Sequence, residues 1–324
     1  MVCTPKIRSL FPLDRIAKCL LLTTTYELEA DAIDEIVNNT FIPVYVLGPN
    51  IPYFRIRTSF PSSKSSYYSW LESKPPRSVL YVSLGSLVRV ENNQIAEILA
   101  GLKQSGVAFM WAAGGEALRL SGDYGSDGLV VERCDRLRVL SHSSVGGFIS
   151  HCGWNSTKES LFSGVPLLTF PTRGDQAFNG KRVCEDWKVG RRLKTCNAFV
   201  SRDVVKDVVR EFMGLEGDLR ACLMEHVKRV EGICRESVVE GGQVEKEIDS
   251  FMRDSETNWL MSSSNLGLTG SCGETFRILI QFDNKSVYTI YISILKTNIE
   301  LQYLLLTSLE VLLHPRTHQL ISKI

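Results

Sequence analysis

The 324-residue chain has a formal net charge of +1, with 44% hydrophobic and 23% charged residues, as an ordinary globular protein does. This balance gives no sign of a nucleic-acid-binding surface or of a polyacidic partner. The nine cysteines include no C-x-x-C pair, which favours reduced thiols and a cytoplasmic protein over a disulfide framework. Neither a signal peptide nor a membrane span is predicted.

The first part of the chain contains two kinds of segment. Residues 19–49, CLLLTTTYELEADAIDEIVNNTFIPVYVLGP, place a segment with helical apolar spacing between two apolar runs, which predicts strand, helix and strand. Residues 51–69 are rich in Pro, Ser and Tyr and show little periodicity, which is typical of a linker. We place the first domain boundary after residue 66.

From Trp70 onward, apolar strands alternate with helical segments. The strands are RSVLYVSLGS, VAFMWAAGG, SVGGFIS and VPLLTFP. Strands that are apolar on both faces are typical of a parallel sheet covered by helices on both sides. Residues 67–254 are therefore predicted to be an α/β domain with a Rossmann-like parallel sheet. Residues 255–324 are β-prone and lack this rhythm, so we treat them as a separate tail.

The stretch HCGWNSTKESLFSGVP, residues 151–166, follows the strand SVGGFIS. A metal site is disfavoured because His151 and Cys152 are adjacent and diverge, and no second ligand pair has zinc-like spacing. A Cys152 nucleophile is disfavoured because no base is implied nearby. Ser156 and Glu159 match a capping box, so a helix is predicted to begin near Ser156. The chain also has no G-x-G-x-x-G after a strand, which disfavours a nicotinamide or flavin dehydrogenase.

The free amide groups and partial positive charge of a helix start suit a diphosphate. This helix would start at the carboxyl end of a parallel strand, where open α/β sheets bind ligands. The alternative is that Ser156 and Glu159 only cap the helix while His151 and Trp154 only pack. The residues alone leave both interpretations open.

The longer segment RCDRLRVLSHSSVGGFISHCGWNSTKESLFSGVPLLTFPTRGDQ, residues 133–176, closely resembles the donor-binding signature of plant UDP-dependent glycosyltransferases. The similarity extends from about residue 19 to about residue 254. It implies the carboxyl-terminal half of a GT-B fold, preceded in residues 1–66 by a remnant of the amino-terminal acceptor domain and a linker. It also implies a UDP-sugar co-substrate, with no cofactor and no metal.

The resemblance assigns donor-binding roles residue by residue. The diphosphate would be held by His151, Asn155, Ser156 and Ser86, with Trp154 beside the phosphates and the sugar. Glu159 would accept hydrogen bonds from both ribose hydroxyls, as an ionised carboxylate can. Asp175 and Gln176 would bind the sugar hydroxyls.

Several positions depart from the family pattern. Arg133 stands where the family has a Trp that stacks on uracil, and Arg136 stands where it has a Gln that contacts the nucleoside. Arg can stack on a π face, so we expect weaker or altered nucleotide selectivity. Arg173 and Gly174 replace bulkier residues before Asp-Gln, which puts the sugar preference in doubt.

The family's catalytic base has no counterpart in the sequence. The family uses a His of the amino-terminal domain to deprotonate the acceptor, whereas the histidines here are at positions 142, 151, 226, 314 and 318. We therefore assign no catalytic residue. Glu27, Asp31 and Asp34 are interpreted as a solvated helix face. The tail either covers the sheet edge that a missing domain would expose or has no native role, and we favour the second interpretation.

Three functions are considered. The first is transfer of a sugar, glucose by family resemblance, from UDP-sugar to a hydroxyl of a small plant metabolite such as a flavonoid or another phenol, with this chain catalytically impaired. The second is a non-catalytic UDP-sugar-binding fragment that pairs with a complete relative or acts alone. The third is a protein-interaction module that pairs through exposed apolar surface.

Overall fold

A computed structural model describes residues 19–49, 51, 66–85, 90–113, 127–194, 198–214, 217–254, 274–281 and 287–294. The chain divides into two compact units, one of residues 1–52 with 233–324 and one of residues 53–232. This division places residues 233–254 with the first unit, whereas the sequence suggests one domain for residues 67–254. The domain limits at 66 and 254 stay predictions.

The elements are numbered in chain order. The strands are β1 (Leu20–Leu22), β2 (Val44–Val46), β3 (Val79–Ser83), β4 (Ala108–Ala112), β5 (Gly128–Val131), β6 (Val145–Ser150), β7 (Leu167–Thr169), β8 (Gly190–Arg192), β9 (Glu274–Gln281) and β10 (Val287–Ile294). The helices are α1 (Tyr26–Asn39), α2 (Ser66–Glu72), α3 (Asn92–Ser105), α4 (Arg136–Leu140), α5 (Trp154–Phe162), α6 (Gln176–Lys181), α7 (Arg202–Met213), α8 (Asp218–Ser237) and α9 (Gln243–Asp254). A π-helical turn, Arg182–Asp186, follows α6.

The larger unit contains a parallel sheet with the strand order β5-β4-β3-β6-β7-β8. Leu80 and Tyr81 are neighbours in β3 whose side chains point to opposite faces, and both are buried. Helices α3 and α7 pack on one face through apolar residues such as Ile98 and Val209. The predicted parallel α/β sheet is confirmed, and it explains why the central strands β3, β4 and β6 are largely apolar.

Arg220 of α8 braces the strand that leads to the candidate site. Its Nη1 donates to the carbonyl oxygen of Phe212 at 3.0 Å, and its Nη2 donates to the carbonyl oxygen of Gly146 in β6. Its guanidinium also lies 5.3 Å from the centre of the Phe212 ring. Burial, helped by the charge of Arg77, lowers the pKa of Arg220 to about 10. The buried cation therefore ties α8 and the end of α7 to the centre of the sheet.

The smaller unit contains a second sheet with the strand order β10-β9-β1-β2. Strand β1 runs parallel to both β2 and β9, and β10 is antiparallel to β9. Ile33 of α1 packs on one side of β1 and β2, and Phe251 of α9 packs on the other. Tyr45 also donates a hydrogen bond to Asp254 at 2.6 Å.

Strands β9 and β10 belong to the predicted tail. Because β9 pairs along the whole of β1, it has the position expected of a segment that covers a sheet edge. This pairing supports the alternative in which the tail protects the sheet, rather than the favoured alternative of no native role.

Among the described residues, no helix combines the length and apolar character that crossing a membrane requires. Nor does the described part of the chain bring three or more His, Cys, Asp or Glu side chains together as a metal site would need.

Candidate functional site

The candidate site is built on the loop of residues 151–153 and the first turn of α5. Gly153 is the N-cap residue and the helix begins at Trp154, so the prediction of a start near Ser156 is wrong by two residues. Cys152 has a left-handed φ of 64°, and the extended backbone of Gly153 then leads directly into the helix. The first intrahelical bond joins the Thr157 amide to the Gly153 carbonyl, so the amides of Asn155 and Ser156 precede the hydrogen-bonded part of the helix.

The capping box does not form, because Ser156 lies inside the first turn and is buried. Gly153 caps the helix without a side chain, which leaves Glu159 to another partner. The sequence pattern was correct about a helix start next to the strand. The pattern could not indicate that Cys152 adopts a left-handed conformation, which lets the helix begin two residues closer to β6.

His151 lies between two glycines. A Cβ atom added to Gly85 would lie 3.0 Å from the imidazole Nε2, and one added to Gly153 would lie 2.5 Å from it. Burial, helped by the charge of Arg136, lowers the pKa of His151 to about 4, although a hydrogen bond with the Ser83 backbone opposes the shift. The imidazole is therefore neutral at pH 7.

Within the described structure, Nδ1 of His151 is buried and has no hydrogen-bond partner. A buried polar atom without a partner is rare and costs free energy, and a bound ligand is one explanation for it. In the tautomer that carries the proton on Nδ1, the neutral imidazole can donate a hydrogen bond to an anionic group beside the helix start.

Asn179 of α6 contacts this loop through a hydrogen bond. It was not predicted as a site residue. Its side-chain amide donates to the carbonyl oxygen of Cys152 at 2.9 Å and to Asp175 at 3.0 Å. Ser150 accepts a hydrogen bond from the Cys152 amide at 3.1 Å. Asn179 therefore links the loop after β6 to a predicted sugar-binding carboxylate. Its only signal in the sequence is its position four residues after Asp175, which is one helical turn.

Gln176 organises the loop that follows β7. Its Oε1 accepts hydrogen bonds from the Thr172 amide, the Thr172 hydroxyl and the Arg173 amide, at 3.0, 2.8 and 3.1 Å. Gly174 adopts a left-handed φ of 65° in this loop, a conformation that glycine takes without strain. Because the side-chain oxygen of Gln176 already accepts these three hydrogen bonds, its side-chain NH₂ group is the part suited to contact a sugar oxygen.

Arg136 and Glu159, both predicted to contact the nucleoside, are paired with each other. Arg136 Nη2 donates to Glu159 Oε1 at 3.1 Å, and Nε donates to Oε2. Burial alone would lower the pKa of Arg136, but the hydrogen bond and charge of Glu159 outweigh it and raise the pKa. The carboxylate predicted to receive the ribose is therefore held by a guanidinium.

The remaining predicted residues lie at different depths. Trp154 is buried and its ring centre is 6.2 Å from that of Trp187, so much of its surface is used in packing. Asn155 and Arg133 are exposed, Asn155 in the first turn of α5 and Arg133 just before α4. Ser86 lies outside the described residues.

Comparison with known proteins shows the same relationship over most of the chain. Residues 57–213 match the family described as UDP-glucoronosyl and UDP-glucosyl transferase. UDP-glycosyltransferase 87A2 of Arabidopsis thaliana is 43% identical over 241 residues, which cover 73% of this chain and 53% of that protein. Crocetin glucosyltransferase 2 of Crocus sativus is 37% identical over 244 residues, covering 70% and 52% of the two chains.

The solved structure of Medicago truncatula UGT71G1 complexed with UDP-glucose matches with a TM-score of 0.64 and 28% identity, over 76% of this chain and 56% of that one. The parallel sheet and the helix start after β6 thus define the carboxyl-terminal type of half found in GT-B glycosyltransferases. The chain belongs to the plant family of UDP-dependent glycosyltransferases. It spans about half the length of the curated relatives it matches.

Proposed function

We propose that the larger unit binds a UDP-sugar at the carboxyl ends of β6 and β7. The observation that carries this proposal is the buried Nδ1 of His151, without a partner in the described structure, beside the first turn of α5. The helix start attracts the diphosphate, since its amides and dipole favour negative charge. Asp175, which Asn179 links to the same loop, and its neighbour Gln176 would receive the sugar hydroxyls.

The reaction we propose for the family site is transfer of the sugar, glucose in the first instance, to a hydroxyl of a small plant metabolite such as a flavonoid. The name crocetin glucosyltransferase and the UDP-glucose bound to UGT71G1 support glucose as the first donor to test. When the bond between the sugar and UDP breaks, negative charge develops on the leaving UDP, and the amides of α5 would stabilise it without a metal ion. A cytoplasmic location stays a prediction from cysteine usage.

Residues 1–324 are proposed to bind the donor with little or no turnover. A general base contributes about 10²–10⁴-fold to reactions of this kind, and no histidine precedes His142 in the sequence. Burial lowers the pKa of His142, although the charge of Glu72 opposes this effect. It lies just after α4 in the donor-binding unit, and its Nδ1 is 2.8 Å from the Ser144 hydroxyl. We therefore assign it no role as the missing base.

Calorimetric titration of the purified chain with UDP-glucose tests the donor site, and GDP-glucose serves as the control with the same sugar and diphosphate. The bound sample is then mixed with phenolic acceptors and searched for glucosides by mass spectrometry. We expect saturable binding of UDP-glucose without product. Product would overturn the proposed impairment, while a folded sample that binds no UDP-glucose would overturn the donor site itself.

Replacing Arg133 with tryptophan tests the departure at the base-binding position. Stacking of a base on an aromatic ring contributes about 1–3 kcal/mol, so Arg133→Trp is expected to tighten UDP binding about tenfold. Arg229→Trp, an exposed position on α8, is the control for a general effect of added tryptophan. Equal UDP affinity in wild type and Arg133→Trp would show that this position does not contact the base.

A further inference from the structure

The Arg136–Glu159 pair changes what this site can recognise. Both carboxylate oxygens of Glu159 accept from the guanidinium, one from Nη2 at 3.1 Å and the other from Nε. The two side chains are 28% and 20% exposed, so solvent screens the pair only partly. Two parallel hydrogen bonds between Arg and a carboxylate are among the stronger polar contacts in proteins.

The position of Arg136 makes this pairing stable. It is the first residue of α4, whose N-cap Asp135 accepts a hydrogen bond from the Arg138 amide at 3.2 Å. Glu159 lies in the second turn of α5, so the pair joins two helices that each start beside the candidate site. Its geometry therefore follows from the helix positions and does not need a flexible loop.

The charge of Arg136 also reaches the anion-binding side of the site. It contributes to the lowered pKa of His151, and it opposes the rise that burial causes in the pKa values of Tyr81 and Cys134. Glu159 and His151 thus both lie within electrostatic range of one guanidinium. A diphosphate near His151 would meet this cation, whereas ribose hydroxyls would have to compete with it for Glu159.

The competition has a definite chemical consequence. The guanidinium occupies one lone pair on each oxygen of Glu159 and neutralises its charge, so the lone pairs that remain are weaker acceptors for ribose hydroxyls. A glutamine at position 136, as in the family, carries no charge and would leave Glu159 free to accept from ribose. Loss of one hydrogen bond to a charged acceptor changes affinity by about tenfold or more.

We propose that Arg136 is a specificity-determining residue that withdraws Glu159 from the ribose, so that the site holds a nucleoside diphosphate mainly through its phosphates and distinguishes ribose weakly from 2′-deoxyribose. This inference rests on the proposed donor function.

The test compares the Kd values of UDP and 2′-deoxy-UDP by calorimetry. Wild type is expected to bind the two within about twofold, while Arg136→Gln is expected to prefer UDP by about tenfold or more. Arg138→Gln makes the same chemical change two residues along α4 and is expected to keep the wild-type ratio. Thermal unfolding of each variant verifies folding, and the wild-type ratio is informative even if Arg136→Gln does not fold.

Each outcome decides between the two proposals. Equal ratios in wild type and Arg136→Gln, whether high or low, would overturn the role of Arg136 while leaving the donor site standing. A tenfold preference for UDP in wild type would do the same. Absence of binding of both nucleotides to all folded variants would overturn the donor function, and the inference with it. Binding of UDP to Arg136→Gln but not to folded wild type would overturn the proposal that the natural site holds a nucleoside diphosphate mainly through its phosphates.

Discussion

Replacing Gly146 with alanine is expected to destabilise the larger unit by about 3 kcal/mol or more. Gly146 lies in β6, and a Cβ atom there would lie far inside van der Waals contact with the carbonyl oxygen of Arg77. The obstacle is backbone at the centre of a sheet, so no side-chain rotation relieves it. The same peptide accepts the hydrogen bond of Arg220, which a displaced strand would lose.

The neighbouring glycine provides a matched control. A Cβ atom on Gly147 would meet Phe212 Cε1 at 2.7 Å and Met213 Sδ at 2.8 Å, both of which are side-chain atoms that can move. Gly147→Ala is therefore expected to cost about 1–2 kcal/mol. Gly232→Ala, inside α8 with no atom within 4 Å, is expected to stabilise by about 0.5–1 kcal/mol. Urea unfolding checks the order, and Gly146→Ala as stable as Gly147→Ala would contradict it.

The parallel sheet could be predicted because its cause is local. Between its two serines, the strand segment SVGGFIS contains only apolar residues and glycine, and this pattern is visible without knowing the neighbouring strands. The glycines themselves were not explained by the sequence. Their necessity depends on Arg77 and Phe212, which are about seventy residues away along the chain in either direction.

The candidate site was predictable as a place but not as a set of contacts. The motif after β6 predicted a helix start at the correct edge of the sheet. The departure at Arg136 was visible as well, but its pairing with Glu159 joins side chains 23 positions apart, and no periodicity encodes such a contact. The same applies to Asn179, whose bond to the Cys152 carbonyl depends on how α6 packs under the loop.

The neutral state of His151 is expected to make the stability of the larger unit depend on pH. Burial is the main reason that the folded-state pKa falls from 6.5 to about 4. As the pH falls through this range, the unfolded chain takes up a proton that the folded chain does not, so stability is lost. The full contribution is present above about pH 6.5, and about 3 kcal/mol is lost by the time the pH reaches about 4.

Urea unfolding near pH 7.5 and pH 5 measures this effect, and about 2 kcal/mol of the loss assigned to His151 is expected over that interval. His151→Gln removes the titrating group and should flatten the dependence, whatever its effect on stability at pH 7.5. A smaller loss should remain, because burial also lowers the pKa of His142. His226→Gln, on α8 with Nδ1 2.9 Å from the Cys222 carbonyl oxygen, is the control and should keep the wild-type difference. An unchanged difference in His151→Gln would mean that the imidazole is not held neutral between Gly85 and Gly153, and the orphaned Nδ1 would then no longer support an anion site beside α5.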